Sequence, residues 1–590
     1  MTKKRIIAAV LSLIMVASVT AGCSSKKAPE NTKAEDSAPE EIIIDEGSED
    51  VTAITGVTDK DGKVIDDKGI IDAEGHKIYS TGEKNEKGET IYTTGKKDAE
   101  GNVLYTLNKT DDRGRIIYYT ATEKDGKLEL KETNAVPDYT SDKDSTLNRD
   151  SRYTTTTTVK LEDSGKTAAE GLKKLFMTYS GSTGQDQFRK VVAAKKGGYI
   201  VTGISSSGTG LYQNASSDWK NFAHIIKFDA SGNEEWTYVT GGDNDVQFSD
   251  VAELKDGSIV AVGYTMATDT DAPMNAKLLS SIIVKVDKGG NYVWSYSFPG
   301  DENSNFDEAS CVTATTDGGF IVGGRADSSS GFFTGSDARF KAYMIKFDKN
   351  GKVDWRKTLN GSKGNTITAL CTNDDGDIFA SCVTHSTDGS FANIKGYGTQ
   401  SNTIIMKLAK SGKILWTSNL VGSGESEYNA LAPTPDGGCI AGGKMSIKKR
   451  ADGSYSMCYG STDGYVVRFS KDGEVYWGRN VGGTQADSIT GVAYTDKGIV
   501  IVGKTKSADS DFNTYPIAGG NDGFIMLLNE SGMTVYTEKL EGKLEDTVLD
   551  VIPSENGVVA VGWSASSDGS FADSDAKKLA DGYIAGYEFK

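Results

Sequence analysis

Histidine is almost missing from this chain. His76, His224 and His385 are the only three in 590 residues. None stands in a Ser-His-Asp signature, so a histidine general base is a poor expectation. Cysteine is sparse as well. After Cys23 there are five, Cys311, Cys371, Cys382, Cys439 and Cys458. Their odd number, irregular spacing and lack of a Cys-x-x-Cys pair give neither a disulfide framework nor a zinc site. Most lie inside apolar runs and read as buried structural thiols. Basic runs are no longer than three residues, Lys3-Lys4-Arg5 and Lys448-Lys449-Arg450, and the net charge is −18. That balance disfavours a nucleic-acid partner. No segment carries a 3.6-residue apolar period, and no Gly-rich phosphate loop opens a helix.

What the chain does have is repetition. Asp317 to Trp355 reads DGGFIVGG, then a Ser/Gly/Phe loop, then AYMIKFDKNGKVDW. Degenerate copies fill the chain from Leu172 to Lys590. The last residues of the GGFIVGG-like runs are Gly203, Gly263, Gly324, Cys382, Gly443, Gly503 and Gly562, at gaps of 60, 61, 58, 61, 60 and 59 residues. Each unit holds four short runs rich in β-branched and aromatic residues, bounded by Gly, Asp and Asn, which is strand chemistry. Four strands per repeat predict an all-β fold, a seven-bladed β-propeller over residues 171–590. The seventh unit lacks its fourth strand, and Leu172–Ser182 supplies it, with Phe176 in the place of Trp. A first segment that completes the last blade leaves no open edge, and burial of Leu175, Phe176 or both is expected.

An aromatic recurs on each outer strand: Trp236, Trp294, Trp355, Trp416, Trp477 and Tyr536. With turns such as DASGNEEW and DKNGKVDW, these units resemble the tryptophan-docking repeats of PQQ-like propellers and of bacterial surface propellers. The resemblance covers about 420 residues. It implies the fold and carries over no cofactor, because no cofactor-contacting residue matches. Ser470–Trp477 (SKDGEVYW) also resembles the Asp-box of sialidases, with its Gly displaced by one position and in one unit alone.

Four segments precede the propeller. Residues 1–22 read as a signal peptide, with Ile6–Val19 as an apolar core too short for a comfortable membrane span. Thr20-Ala21-Gly22-Cys23 resembles a lipobox, with Thr where Leu is usual, and makes Cys23 the expected lipid-attachment residue. Residues 23–50 are too poor in apolar side chains to fold and read as a tether. Residues 51–135 carry a second repeat, with Gly62, Gly75, Gly88, Gly101 and Gly114 spaced by 13. This predicts a small antiparallel meander, with Ile78, Ile91, Leu104 and Ile117 on one face and Tyr79, Tyr92, Tyr105 and Tyr118 on the other. Residues 136–170 read as a linker.

Naming the blade strands a to d outward, the a–b and c–d links are tight and the b–c links long. In an antiparallel blade the b–c and d–a links emerge on the same face, so one face holds nearly all the variable sequence. Two sets of acids fall there. The first precedes each inner strand: Asp186, Asp245, Asp307, Glu425 or Glu427, Asp487, and Glu545 or Asp546, with Asn365 in blade four. A ring of these would attract a cation; as scaffold they would instead bond backbone amides. The second lies in b–c loops: Asp269, Asp388, Asp509 and Asp568. Ser-x-Asp-Gly-Ser is turn chemistry first, and calcium is the second reading. Loop aromatics, among them Tyr212, Phe333, Phe391, Phe512 and Phe571, either stack on a ligand or pack the loops.

The sequence therefore predicts an extracytoplasmic, membrane-anchored binding protein. Its expected partner is an envelope or extracellular protein or glycan, with no cofactor beyond an optional Ca2+. The rival expectation is a glycan hydrolase using carboxylates of the same face.

Overall fold

The computed structural model describes residues 57–58, 64–66, 70–71, 77–85, 87–97, 103–110, 116–124, 127–133, 169–180, 184–212, 221–268, 279–298, 306–328, 333, 341–392, 401–420, 425–446, 462–512, 519–574 and 579–590. Cys23, the signal segment, the tether and most of the linker, with Asp269, His76 and Cys458, lie outside the described residues. The chain forms two compact units, Met1–Asp138 and Tyr139–Lys590.

The first unit holds a six-stranded antiparallel meander running from Ile70–Ile71 to Lys127–Thr133. Ile78, Ile91, Leu104, Thr93 and Thr106 are buried on one face. The expected fourth member, Ile117, is displaced by Tyr118, which is buried. Thr106 pairs with Tyr118 and Tyr105 with Tyr119, the same register one repeat on from Thr93 with Tyr105 and Tyr92 with Thr106. The strand therefore keeps the glycine period, and nothing in the pairing explains the exchange of Ile117 and Tyr118.

The second unit consists of seven four-stranded antiparallel sheets, the blades of a β-propeller. Blade one is Asp186–Ala193, Tyr199–Ser205, Phe222–Phe228 and Glu234–Thr240. The inner strands of the others are Val246–Glu253, Glu308–Ala314, Asn365–Thr372, Ser426–Pro433, Asp487–Thr495 and Asp546–Ser554. Each inner strand packs against the next, and the seventh against the first, so the sheets close into a ring. The third strand of blade seven, Asp581–Phe589, pairs with Leu172–Tyr179, which is its outer strand. Leu172 is buried there beside Val558 and Tyr587, and Phe176 is half-buried. Leu175 is 55 % exposed, so of the two residues named from sequence Phe176 alone packs into the closure. Leu175 is the bulge residue that the pairing with Gly586 and Tyr587 skips.

Two glycine positions explain the repeat. Every inner strand carries one bulge residue that the second strand skips: Arg189, Ser249, Ser310, Thr368, Asn429, Thr490 and Leu549. The bulge drives an inner-strand carbonyl onto the conserved-position glycine opposite it. A Cβ at Gly203 would lie 1.9 Å from the Gln187 oxygen, and one at Gly503 2.0 Å from that of Ser488. Blade four has Cys382 there, and nothing in the structure explains how its Cβ is accommodated. The second position is the left-handed glycine of each c–d turn, on which the preceding blade's aromatic lies. Trp236 covers Gly290, Trp294 Gly351, Trp355 Gly412, Trp416 Gly473 and Trp477 Gly532. Phe176 covers Gly232 and Tyr536 covers Gly171, so the closing strand joins the same ring of contacts. Three indoles also donate to the neighbouring turn: Trp355 Nε1 to the Lys410 oxygen at 3.1 Å, Trp416 to Lys471 at 2.8 Å and Trp477 to Glu530 at 2.8 Å.

A chain beginning at Asp186 loses the outer strand of blade seven and both of its docking contacts. It is expected to be insoluble or to melt several degrees below a chain beginning at Thr167, since in a protein of this size about 1 kcal/mol moves the melting temperature by roughly 1 °C. Equal melting temperatures in calorimetry would remove the closing role of Leu172–Tyr179.

Candidate functional site

The first acid set splits by register. Asp186, Asp487 and Asp546 open their inner strands, and Asp307 immediately precedes Glu308. All four are buried. Each accepts from hydroxyls at the end of the second strand. Asp186 takes Ser205 Oγ and, at 2.8 Å, Ser207 Oγ. Asp487 takes Thr505 Oγ1 at 2.5 Å, Ser507 Oγ at 2.8 Å and the Gly483 N–H at 2.8 Å. Asp546 takes Ser564 Oγ at 2.5 Å and Ser566 Oγ at 3.0 Å. Asp307 takes Ser328 Oγ at 2.6 Å and the Asp327 N–H at 3.0 Å. Asn365 does the same work in blade four, accepting from Thr384 Oγ1 and donating to the Lys363 oxygen.

The second serine of each pair looks both ways. While donating to the acid, Ser207, Ser507 and Ser566 accept the N–H of Gly184, Gln485 and Leu544 in the d–a links. The acid, two hydroxyls and the incoming link thus form one hydrogen-bonded unit at the loop-bearing end of the blade. Blades two and five lack it: Val246 and Ser426 occupy the equivalent positions. Asp245 and Glu425 sit one residue earlier. Asp245 accepts Asn221 Nδ2 at 2.8 Å, and Glu425 is exposed. Glu427 pairs with Lys444 at 2.9 Å, and Glu545 is exposed. The structure therefore brings these acids to one face without converging them on one point.

Burial pushes the carboxyls of Asp186 and Asp546 up to about 7, against the pull of their hydroxyl donors. Asp581 beside Asp186 and Asp522 beside Asp546 push the same way. Burial also raises Asp307 and Asp487.

The loop acids behave oppositely. Asp388 accepts the Ser362 N–H at 2.8 Å, Asp568 the Lys543 N–H at 2.9 Å and Asp509 the Thr484 N–H at 2.8 Å. These amides hold all three carboxyls below the usual range. Each acid leads into one turn of 3-10 helix: Gly389–Phe391, Gly569–Phe571 and Ser510–Phe512. The aromatic ending that turn is buried. Phe571 lies 5.4 Å from Tyr583, Phe512 5.2 Å from Phe524 and Phe333 5.1 Å from Tyr343. Tyr212, Phe333, Phe391, Phe512 and Phe571 thus pin the loops to the third strands instead of facing a ligand. Among the described residues, no three His, Cys, Asp or Glu side chains form a metal cage. His224 is buried between Phe188 and Tyr212, and burial pulls it down to about 3. Its ring is neutral at any ordinary pH.

One charged cluster escaped sequence reasoning. Lys190 Nζ lies 3.2 Å from Asp550 Oδ1, across the seam between blades one and seven. Asp550 Oδ2 also accepts the Val191 N–H at 3.1 Å. In blade two, Asp250 accepts the Val312 N–H of blade three at 2.8 Å. Burial pushes Asp250 up to about 6 against Lys190, while Asp550 and Asp250 hold the Lys190 ammonium above its ordinary value despite burial. The signal available was an acid in the middle of an otherwise apolar inner strand, in FSDVAEL and VLDVIPS.

No protein-family profile matches the chain. A stretch of 224 residues is 25% identical to the regulatory protein FlaEY of Caulobacter vibrioides, spanning 35% of this chain and 23% of that protein. Among solved structures, the Pan2 WD40 domain of Neurospora crassa is similar at TM-score 0.36 and 11% identity, over 70% of this chain and 95% of its own. YCF48 bound to a D1 peptide gives 0.36 and 11%, over 72% and 98%. The Hadza microbial sialidase Hz136 gives 0.32 and 10%, over 63% and 74%. The fold itself stands on the strand pairing described above.

An acid raised by burial favours folding below its unfolded value and opposes it as pH climbs toward the folded one. Wild type therefore loses stability from Asp186 and Asp546 between about pH 4 and pH 7. Asn carries no charge to bury, and Asn365 shows that the site accepts it. The Asp186→Asn/Asp546→Asn variant is expected to gain several degrees on wild type between about pH 5 and pH 8 in thermal melts. A pH-independent difference would mean that both carboxyls ionise normally in the fold.

Proposed function

We propose that this chain is a lipid-anchored binding protein of the cell envelope, held through Cys23, that recognises a protein or glycan with the loop-bearing face of its propeller. The asymmetry of the two faces carries this reading. On one face the strands are joined by turns of five residues, or two at Asp496–Lys497 and Glu555–Asn556. On the other, the b–c links run 14 to 17 residues. Their roots are fixed by the acid–hydroxyl units, the loop aspartates and the buried aromatics, so variable sequence is displayed from a rigid rim, the arrangement suited to recognition.

Binding is favoured over hydrolysis by what the acids touch. Asp186, Asp307, Asp487 and Asp546 are buried among hydroxyls, and Asp388 and Asp568 hold backbone amides. A glycosidase needs two carboxyls facing one open space at about 5–9.5 Å.

Two experiments test the reading. Cys23→Ala is expected to move the protein from membranes to the soluble fraction, since two acyl chains at roughly 0.8 kcal/mol per buried methylene are lost. Retention on membranes would sink the anchor. Separately, links 393–400 and 513–518 are replaced by Gly/Ser of equal length. Capture of envelope protein or glycan is expected to fall at least about tenfold, as removal of central interface side chains does. Substituting Lys255 and Lys471 on the opposite face should leave capture unchanged. Loss from the Lys variants instead would place recognition on the wrong face.

A further inference from the structure

The central channel holds a cavity of about 350 Å³ lined by bulge residues of several blades. Its wall includes Arg189, Thr368, Asn429, Thr490 and Leu549, with Gln187 and Trp563 beside them. Among the seven bulge residues, Arg189 alone is charged; the others are two Ser, two Thr, Asn and Leu.

Several of these side chains are committed to the scaffold. Thr368 Oγ1 donates to the Tyr428 oxygen of the next blade at 2.8 Å, and Thr490 Oγ1 to that of Val548 at 2.6 Å. Lys190 is held by Asp550. Arg189 is different: its guanidinium makes no hydrogen bond or ion pair with any described residue. The acid that acts on it, Glu308, is 3.0 Å from Arg325. Burial pulls the Arg189 guanidinium below its ordinary value, with Tyr264 and Glu308 acting against that pull. Gln187, Asn429 and Trp563 likewise make no hydrogen bond through their side chains to described residues. A cationic fork, free amide groups, an indole N–H and the apolar surfaces of Leu549 and Trp563 therefore face one small space.

We propose that the channel is a binding site for a small organic carboxylate, with Arg189 as its bidentate anchor and Trp563 and Leu549 against its apolar body. A planar guanidinium matches a carboxylate through two parallel N–H donors, and a desolvated site strengthens both. The overall charge of −18 repels anions at long range, so only a local, buried cation suits such a ligand here.

Benzoate, inorganic phosphate and neutral benzamide are the probes, measured on the soluble chain by calorimetric titration and thermal melts. Benzoate is expected to bind and to raise the melting temperature; benzamide is not. Arg189→Gln should weaken benzoate at least about tenfold, and Arg189→Lys less, since charge survives without the fork. Asn429→Asp supplies a competing carboxylate in the same cavity and should weaken benzoate comparably, which keeps the test open if Arg189→Gln folds poorly. Phosphate binding in place of benzoate, equal binding of benzamide, or affinities unchanged by both Arg189→Gln and Asn429→Asp would each overturn the proposal.

Discussion

The contact on which the propeller depends is an aromatic ring laid on a neighbour's glycine. A left-handed c–d turn presents a bare Cα, and the preceding blade's outer strand covers it with Trp, Phe or Tyr. Both partners are constrained. A side chain at Gly473 would lie 2.7 Å from Trp416 and would need a conformation at φ 84° that L residues avoid. The indole N–H then finds a carbonyl one turn away, which removes the penalty of shielding an unpaired donor. Because each blade docks only on the next, stability is a sum of neighbour terms, and the ring tolerates variation wherever this contact survives. Phe176 on Gly232 and Tyr536 on Gly171 keep the contact without the indole, at the two ends of the segment that closes the ring.

The same logic explains the acids. A propeller must bring seven links back to its inner strands, and every returning link carries amide groups that the ladder cannot satisfy. Asp186, Asp487 and Asp546 meet that need through serines that bond the link and the acid together, while Asp307 accepts Ser328 Oγ and the Asp327 N–H. Val246 and Ser426 show the alternative: where the acid is absent, so is the serine pair, and Ala267 or Met445 stands nearby. The unit is not all-or-none: Thr265 keeps its hydroxyl opposite Val246 and accepts the Ala267 N–H at 3.1 Å, and Asp307 stands without a hydroxyl at Ala326.

Much of this was legible in the sequence and some was not, for physical reasons. Strand number, blade order and the closing role of Leu172–Tyr179 follow from periodicity, which reports local chemistry repeated many times. Leu175 and Phe176 were not told apart because a half-exposed outer strand gives weak alternation. Tyr118 was misplaced because a glycine period fixes where a strand starts and how it pairs, but not which of its faces is covered. The acid ring was read as one set because spacing within two residues cannot separate Asp186, inside the ladder, from Asp245, one residue before it. The Lys190–Asp550–Asp250 relay joins residues up to 360 positions apart, and only closure of the ring brings them together.

The bulge is where scaffold and function separate. It ejects one residue per inner strand from the ladder, so that position is free of backbone pairing and faces the axis. Thr368 and Thr490 are drawn back into structural use by bonding the next blade. In blade one the seam to blade seven is already latched by Lys190 on Asp550 and by the Val191 amide. As in blades two and seven, where Asp250 and Asp550 hold the next blade's amide, the latch uses the residue after the bulge, and Arg189 makes no bond of its own to the frame. A guanidinium kept half-buried without a counter-charge destabilises the fold, and the ring of Ser, Thr, Asn and Leu shows that neutral side chains serve equally well as scaffold. Strain of this kind, retained where an uncharged residue would fit, belongs to a site and not to the frame that holds it.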